Sequence, residues 1–577
     1  MKAGAFAFVL HSHLPYCRIP ERWRDGSWPH GEEWLHEATS GTYLPLLMAL
    51  YELRQENCSF KLTLSLTPVL VEQLADSVVL EHLEEFLEDK IQRAQGDVDR
   101  FEKAGEGHLL YLARFYLDRY QQILSAFRDI FNGNIVLAFK NLQDEGCIEI
   151  TTSAATHAYL PLLERDSSIY AQLKTGVESY RHHFGTSPRS VWLPECGYRP
   201  AFYTGTEGIT YIKPGIEHFL SELGISCFFA ETHTVEGGQP VGKAREEVIG
   251  PYGNISRRYV VPLTGYIEPT QKTTCLPYWV QTPEVAVIGR NNRTSMQVWS
   301  AEWGYPGDFH YREFHKKDGI SGLHYWKVTG AKVDLAWKEY YDPYWAARQV
   351  EQHSSHYSHL VEELLVNFYQ ESGKFGIVAA AYDTELFGHW WFEGVDWIKQ
   401  VLRRLSQSEV VELTTASEYI EQHPPVDVLV LPEGSWGLGG GHFTWQNVDN
   451  EWMLPIVHSA ELKMEETVAR HPNGKGVLKQ VLNQAARELL LLQSSDWAFL
   501  IATEQAKNYA EERFGYYENP DYYRGHVGKF YKLVDLIESG QIDENAKKLC
   551  EQFWEEDKLF PDIDYRHFKN REQNIRR

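Results

Sequence analysis

Cysteine is scarce in this chain, and none of it is arranged in pairs. Seven residues, Cys17, Cys58, Cys147, Cys196, Cys227, Cys275 and Cys550, are scattered over 577 positions. None forms a C-x-x-C pair, and an odd count does not suit a disulfide framework, so free thiols in a reducing cytoplasm are predicted. Long apolar runs are lacking too. Met1-Lys2 leads directly into the short run "GAFAFVL", which is no signal peptide and is too short to span a bilayer. A membrane partner is therefore not expected. Positive charge is in deficit: 56 Lys and Arg face 80 Asp and Glu, a formal net charge of -24. Such a body repels phosphates, so nucleic acid is not an expected partner and a neutral ligand fits better.

Aromatic residues are abundant instead. The 18 Trp, 33 Tyr and 27 Phe make up 14% of the chain. Many are core, but the Trp and Tyr excess suits flat, neutral, polyhydroxylated ligands such as sugar rings. Apolar runs alternate with helical stretches: "AFAFVL" (5–10), "FKLTLSL" (60–66), "CIEITTSAATH" (147–157), "SVWLPE" (190–195), "ISCFFAETH" (225–233), "SMQVWSAE" (295–302), "GIVAAAYDTE" (376–385) and "EVVELTT" (409–415). Each reads as a strand, and the alternation predicts a parallel sheet closed or nearly closed into an α/β barrel. Barrel enzymes build their sites just after the strands, where this chain places its polar residues. Residues 84–140 read as an inserted helical region. Residues 234–294, rich in Gly, Pro and Thr, read as one long loop. The predicted division is a barrel over 1–83 and 141–430, and a C-terminal helical domain over 431–577 that adds Trp to the ligand groove.

Two carboxylates stand in matching contexts. Glu195 in "WLPECGY" and Asp383 in "AAAYDTELFGHWW" each follow an apolar strand and precede aromatics. Two carboxylates flanking an aromatic cavity are what glycoside cleavage requires, one attacking the anomeric carbon and the other protonating the leaving oxygen. A competing reading starts from His11 and His13 in "HSHLPY". An H-x-H after a first barrel strand, joined by His157, His233 and Asp383, would serve a metal-dependent amidohydrolase or deacetylase. The Gly-rich stretch "GSWGLGGGHFTWQN" (434–447) has no following Lys-Ser/Thr, so its glycines turn the backbone and bring Trp436 and Trp445 to a groove rather than cradle phosphate. Trp299, Trp28 and Trp34 are further platform candidates.

"HSHLPY", "SAATH", "WLPECGY", "QVWSAEWGYPGD", "AYDTELFGHWWFEG" and "SWGLGGGHFTWQN" occur in this order and together resemble the signature regions of glycoside hydrolase family 57, in particular its 1,4-α-glucan branching enzymes. The resemblance implies an incomplete (β/α)7 barrel with an inserted helical region and a C-terminal helical domain. It implies a retaining mechanism with no metal or organic cofactor, on α-glucans such as amylose or a glycogen-like polymer. Glu195 would be the nucleophile and Asp383 the general acid/base. His11, His13 and His157 would lie in the donor-sugar subsite, and Trp299, Trp436, Trp445 and Arg290 would contact the glucan. His233, His389, Tyr266 and Tyr278 are further candidates, the two tyrosines for an acceptor-side loop. A 4-α-glucanotransferase or an α-amylase would share the first half-reaction, and the motifs alone do not separate them.

Overall fold

The structure is a computed structural model. It describes residues 2–20, 31–206, 209–240, 248–250, 253–255, 267–281, 284–300, 303–330, 332–515, 525–571 and 574–575. Among these, seven parallel strands follow one another around a ring: Gly4–Ser12, Leu62–Leu66, Ile148–Thr151, Ser190–Val191, Cys227–Ala230, Ala286–Gly289 and Gly376–Asp383. The last pairs with the first over eight residues, from Gly4 beside Gly376 to His11 beside Asp383. Five of the joints are ladders. The other two are single parallel bridges, Thr152 with Val191 and Arg290 with Ala379. These weak seams make the barrel incomplete.

The strand sequences explain the ring's contents. In Gly4–Ser12 every residue is buried, so both faces are covered, as expected for parallel strands. Ala5, Ala7 and Val9 point inward to meet Ala286, Ile288, Ile377, Ala379, Ala381 and Phe229. Phe6, Phe8 and Leu10 point outward into the helical layer. Small residues inside a narrow ring leave space for one large side chain. Trp192 takes it, fully buried among the inward set.

Two points correct the sequence reading. Residues 295–302 are not a strand: the helix Asn292–Trp299 occupies this segment, capped by the Asn291 side chain, which accepts from the Thr294 N–H. The capping Asn outweighs an ambiguous apolar alternation. Nor is 234–294 one loop. The ring strand Ala286–Gly289 lies in it, as does Tyr278–Val280, antiparallel to that strand and parallel to Val428–Leu429. Val411–Leu413 is a strand as expected but pairs only with the start of the first strand, outside the ring.

The region read as helical holds the long helices Ser77–Ala104 and Gly107–Ser125, and the first begins where Asp76 accepts from the N–H groups of Val78 and Val79. Toward the C-terminus, Met453–Arg470, Val477–Leu492 and Ser495–Thr503 are helices. They share one apolar cluster with Leu160, Val191, Leu193 and Tyr198 of the barrel side. No helix among the described residues is long and apolar enough to cross a membrane.

The segment after the third strand is pressed onto the helix Asp166–Phe184. Ala155 N–H donates to Gln172 O at 2.9 Å, and Thr152 Oγ1 donates to Gly176 O at 3.2 Å. A Cβ on Gly176 would stand 2.3 Å from Ser153 O, which is backbone and cannot step aside. Gly176→Ala is therefore expected to cost about 1–3 kcal/mol of stability through overpacking. It should also lower activity at temperatures where the fold persists, because His157 rides on the displaced segment. Thermal unfolding and catalytic turnover measured on the same variant check both.

Candidate active site

Every strand of the ring delivers a polar group at its C-terminal end. The fourth strand stops after two residues, because Pro194 cannot donate to a ladder. The chain then turns with Glu195 at φ 61° and Cys196 at φ 51°, both left-handed. Two adjacent non-glycine residues in that region cost about 1–2 kcal/mol each, and the surroundings must enforce them. Trp436 does so. Its backbone N–H donates to Glu195 O at 3.0 Å, and its indole N–H donates to the Glu195 carboxylate. Tyr159 closes the turn from below: a Cβ on Gly197 would meet its ring at 2.6 Å.

Beside Glu195 the rings form a stack. Trp192 lies under His11 at 4.9 Å between centroids, His11 lies 5.1 Å from His157, and His157 lies 3.8 Å from His13, with all planes within 22°. Each imidazole nitrogen has its own partner. His11 meets Ser65 Oγ at 3.1 Å and His157 Nε2 at 3.0 Å. The remaining nitrogen of His157 meets Ser495 Oγ at 2.9 Å. His13 meets Thr67 Oγ1 at 3.1 Å and Asp496 Oδ1 at 2.9 Å. His157 is itself left-handed, at φ 58°. Asp383 ends the last ring strand directly beside His11. Two residues on, Glu385 accepts from the His13 backbone N–H at 3.0 Å and from the Tyr43 hydroxyl.

Burial and charge set the protonation states. Burial holds His11 and His157 well below the usual imidazole range, and the neighbouring His13 lowers them further, so both are neutral. Burial would lower His13 as well, but Asp496, Glu385 and Glu195 outweigh it and raise its pKa. Glu195 is pushed up to about 7, chiefly by burial and then by the charge of Asp383, while the Trp436 hydrogen bond and His13 pull it down. Burial, with Asp383 adding to it, lifts Glu385 to about 8. The site thus brings one cationic ring and several carboxyl groups together with two neutral imidazoles.

His13, His157 and Asp496 present ligand atoms within 4.8 Å of one another. Their rings are stacked rather than convergent, and every nitrogen is already engaged. A metal would have to displace those bonds. The arrangement therefore does not favour the amidohydrolase reading.

The family model described as "Glycosyl hydrolase family 57" matches residues 7–432. The chain belongs to glycosyl hydrolase family 57. A second model, "1,4-alpha-glucan branching enzyme, C-terminal", matches residues 456–568. A 1,4-alpha-glucan branching enzyme of Thermococcus kodakarensis is 42% identical over 562 residues, covering 96% of this chain and 77% of that protein. Among solved structures, the family 57 branching enzyme of Pyrococcus horikoshii superposes with a TM-score of 0.84 at 38% identity, covering 100% of this chain and 98% of that one. An alpha-amylase of Thermotoga maritima superposes with a TM-score of 0.79 at 31% identity, covering 98% and 99%.

Within this family 57 barrel the other expected residues are placed as follows. Arg290, after the sixth ring strand, pairs with Glu231 at 2.8 Å and lies 5.5 Å from the Trp436 ring centre. It buttresses Trp436, whose ring His11 meets edge-on at 6.2 Å between centroids. Trp299 is half-buried at the end of its helix. Trp34 is half-buried with its ring edge-on to Tyr509 at 5.3 Å. His389 is lowered to about 4 by burial and packs against Phe314. Three expectations change. Trp445 is 3% exposed, stacked on Tyr159 at 4.0 Å and pressed against Gly437, so it supports the Gly-rich loop and offers no face to a ligand. His233, in the short helix Thr232–Glu236, is buried against Gly440 and packs on that loop from outside. Tyr278 is buried in its strand, with its hydroxyl donating to Thr273 O, and does not reach an acceptor. Trp28 and Tyr266 lie outside the described residues.

Sequence reasoning missed Tyr43, Glu231, Glu385, Ser495 and Asp496. Glu385 had a signal, lying two residues from Asp383 in the same motif. Ser495 and Asp496 open a helix far along the chain, and only tertiary packing brings them to His157 and His13.

Trp436→Phe keeps the ring and the backbone bond but removes the indole donor that favours ionised Glu195. The carboxyl pKa should rise above about 7. A reaction that needs the ionised carboxylate is lost as pH falls through that value. The acidic limb of the kcat/KM profile should therefore shift to higher pH, and an unshifted limb would disconnect the indole from Glu195.

Proposed function

We propose that this family 57 enzyme is a retaining 1,4-α-glucan branching enzyme. It cleaves α-1,4 bonds and transfers the released segment to a 6-hydroxyl, making α-1,6 branches in glycogen-like polymers of the cytoplasm. The observation that carries the chemistry is Glu195, fixed in a left-handed turn by two hydrogen bonds from Trp436 at the barrel mouth that also holds Asp383. The 42% identical relative, called a 1,4-alpha-glucan branching enzyme, supports the choice of acceptor.

The mechanism follows from these groups. Glu195, ionised, attacks C1 of the donor glucose while Asp383 protonates the departing O4, giving a covalent glucosyl-enzyme and a free chain end. Forming that bond removes the Glu195 charge, so the facing carboxyl group, having given its proton to O4, is left as a carboxylate for the return step. Asp383 then takes the proton of the acceptor 6-hydroxyl as that oxygen attacks C1 and Glu195 departs. Two inversions leave the α configuration intact. The neutral His11–His157 pair, its nitrogens bonded to each other and to Ser65 and Ser495, lines the site without introducing charge. The cationic His13, tied to Asp496, stabilises ionised Glu195.

The alpha-amylase on the same scaffold shares the first half-reaction, so the acceptor must be tested directly. Incubation with amylose should produce α-1,6 linkages, counted by proton NMR, in clear excess over new reducing ends. Reducing ends without branches would make the enzyme an amylase, and elongation products without branches a 4-α-glucanotransferase. Glu195→Gln is nearly isosteric and should lower branching at least about a thousandfold while glucan binding persists. Asp383→Ala should lose far less activity on a substrate with a good leaving group than on amylose, since only that group dispenses with an acid. Equal losses on both would assign the acid elsewhere.

A further inference from the structure

A cleft of about 520 Å³ opens outside the catalytic centre, between the hairpin whose strands are Phe202–Thr206 and Ile209–Lys213 and the helix Met453–Arg470. Its walls include Arg199, Phe202, Lys213, Glu433, His442 and His458. This volume falls within the range of clefts that hold drug-sized ligands. The cleft adjoins the Glu195 turn. Arg199 lies four residues beyond Glu195 and Glu433 three before Trp436, and the two strands of chain are tied by reciprocal bonds between Tyr198 and Gly434. Tyr159 touches both, with its hydroxyl on His442 Nδ1 at 2.8 Å and its ring against Gly197.

The chemistry of the walls selects the ligand. Arg199 is 5% exposed, and although its Nη2 donates to Pro214 O, its Nε is buried without a hydrogen-bond partner. Arg199 does not make the cleft an anion site. Lys213 is already held by Glu164 O at 3.0 Å and lies 3.6 Å from Asp166, and Glu433 lines the same cleft. A phosphate would meet these carboxylates. His442 and His458 are engaged as well, with Tyr159, Glu433, Leu162 O and Glu164, so a wall of balanced charge with one exposed aromatic face is what a ligand meets, and that suits the neutral, apolar face of a pyranose. Phe202, 42% exposed, supplies that face, with the Arg199 guanidinium 5.1 Å from its ring centre.

We infer that this cleft is a remote subsite for an α-glucan chain, holding sugar units beyond those bound at Glu195 and Asp383. The inference rests on the glucan reading of the enzyme. A chain threaded past Tyr159 would be gripped at two places, which raises affinity for long chains over short ones without new contacts at the reacting bond. It would also favour transfer of long segments.

The test uses the full-length protein as Glu195→Gln, so that no turnover occurs during titration. Dissociation constants for maltooctaose and maltotriose are compared before and after adding Phe202→Ala and His458→Ala. The ratio of the maltooctaose constant to the maltotriose constant should rise about tenfold, the size expected for losing one stacked ring together with part of the cleft wall. An unchanged ratio with an intact circular dichroism spectrum overturns the subsite. So does an equal weakening of both ligands, which would mark damage to the catalytic centre. Phe202→Ala alone, at an exposed hairpin ring, carries the same test should the double variant not fold. If the parent binds neither oligosaccharide, it is the glucan reading that fails, and the two failures are thereby distinguished.

Discussion

The double hold of Trp436 on Glu195 is the interaction around which the site is organised. A nucleophilic carboxylate must be ionised and aimed, yet a dry barrel mouth opposes ionisation and a left-handed turn opposes the aim. One residue answers both demands. Its backbone N–H fixes the turn, and its indole N–H stabilises the charge. Trp436 is steadied in turn by Trp192 at 5.0 Å on one side and by the Arg290–Glu231 pair on another. The small inward residues of the strands leave the space that Trp192 fills. A requirement of the chemistry is thereby written into the alanines of the barrel core.

Electrostatics completes the arrangement with few charges. Had all three stacked imidazoles been protonated, their mutual repulsion at centroid spacings of 3.8–5.1 Å would have been severe. Burial keeps two neutral and Asp496 selects the third. The cation sits where ionised Glu195 benefits from it. The C-terminal helices therefore supply part of the charge pattern of the site in addition to covering one side of the barrel.

Much of this was legible in the sequence. Six of the seven ring strands are marked by apolar runs, and the two carboxylates stand out because each breaks such a run before aromatics. The remaining one, Ala286–Gly289, is short and embedded among Pro and Thr, and the run taken in its place is a helix announced only by Asn291. Trp436 and Trp445 look equivalent in the sequence, both beside glycines. Their different roles depend on which ring Tyr159 covers, a contact made across 286 residues of chain in the case of Trp445. Asp496 carries no local mark at all, because a helix N-terminus is an ordinary place for an Asp.

The first strand has a consequence for how the protein is made. Gly4–Ser12 emerges before its partner, is apolar on both faces, and one of its two edges is paired by Gly376–Asp383. At ribosomal rates that partner follows roughly 20 to 75 s later. Through that interval the nascent chain carries an unpaired, aggregation-prone edge, which no nearer strand among the described residues covers with a parallel ladder on that side. Only after synthesis reaches the helix at Ser495 can His13 find Asp496. Translation speed and chaperone supply, rather than the stability of the finished barrel, should therefore govern how much of this protein a cell recovers in folded form.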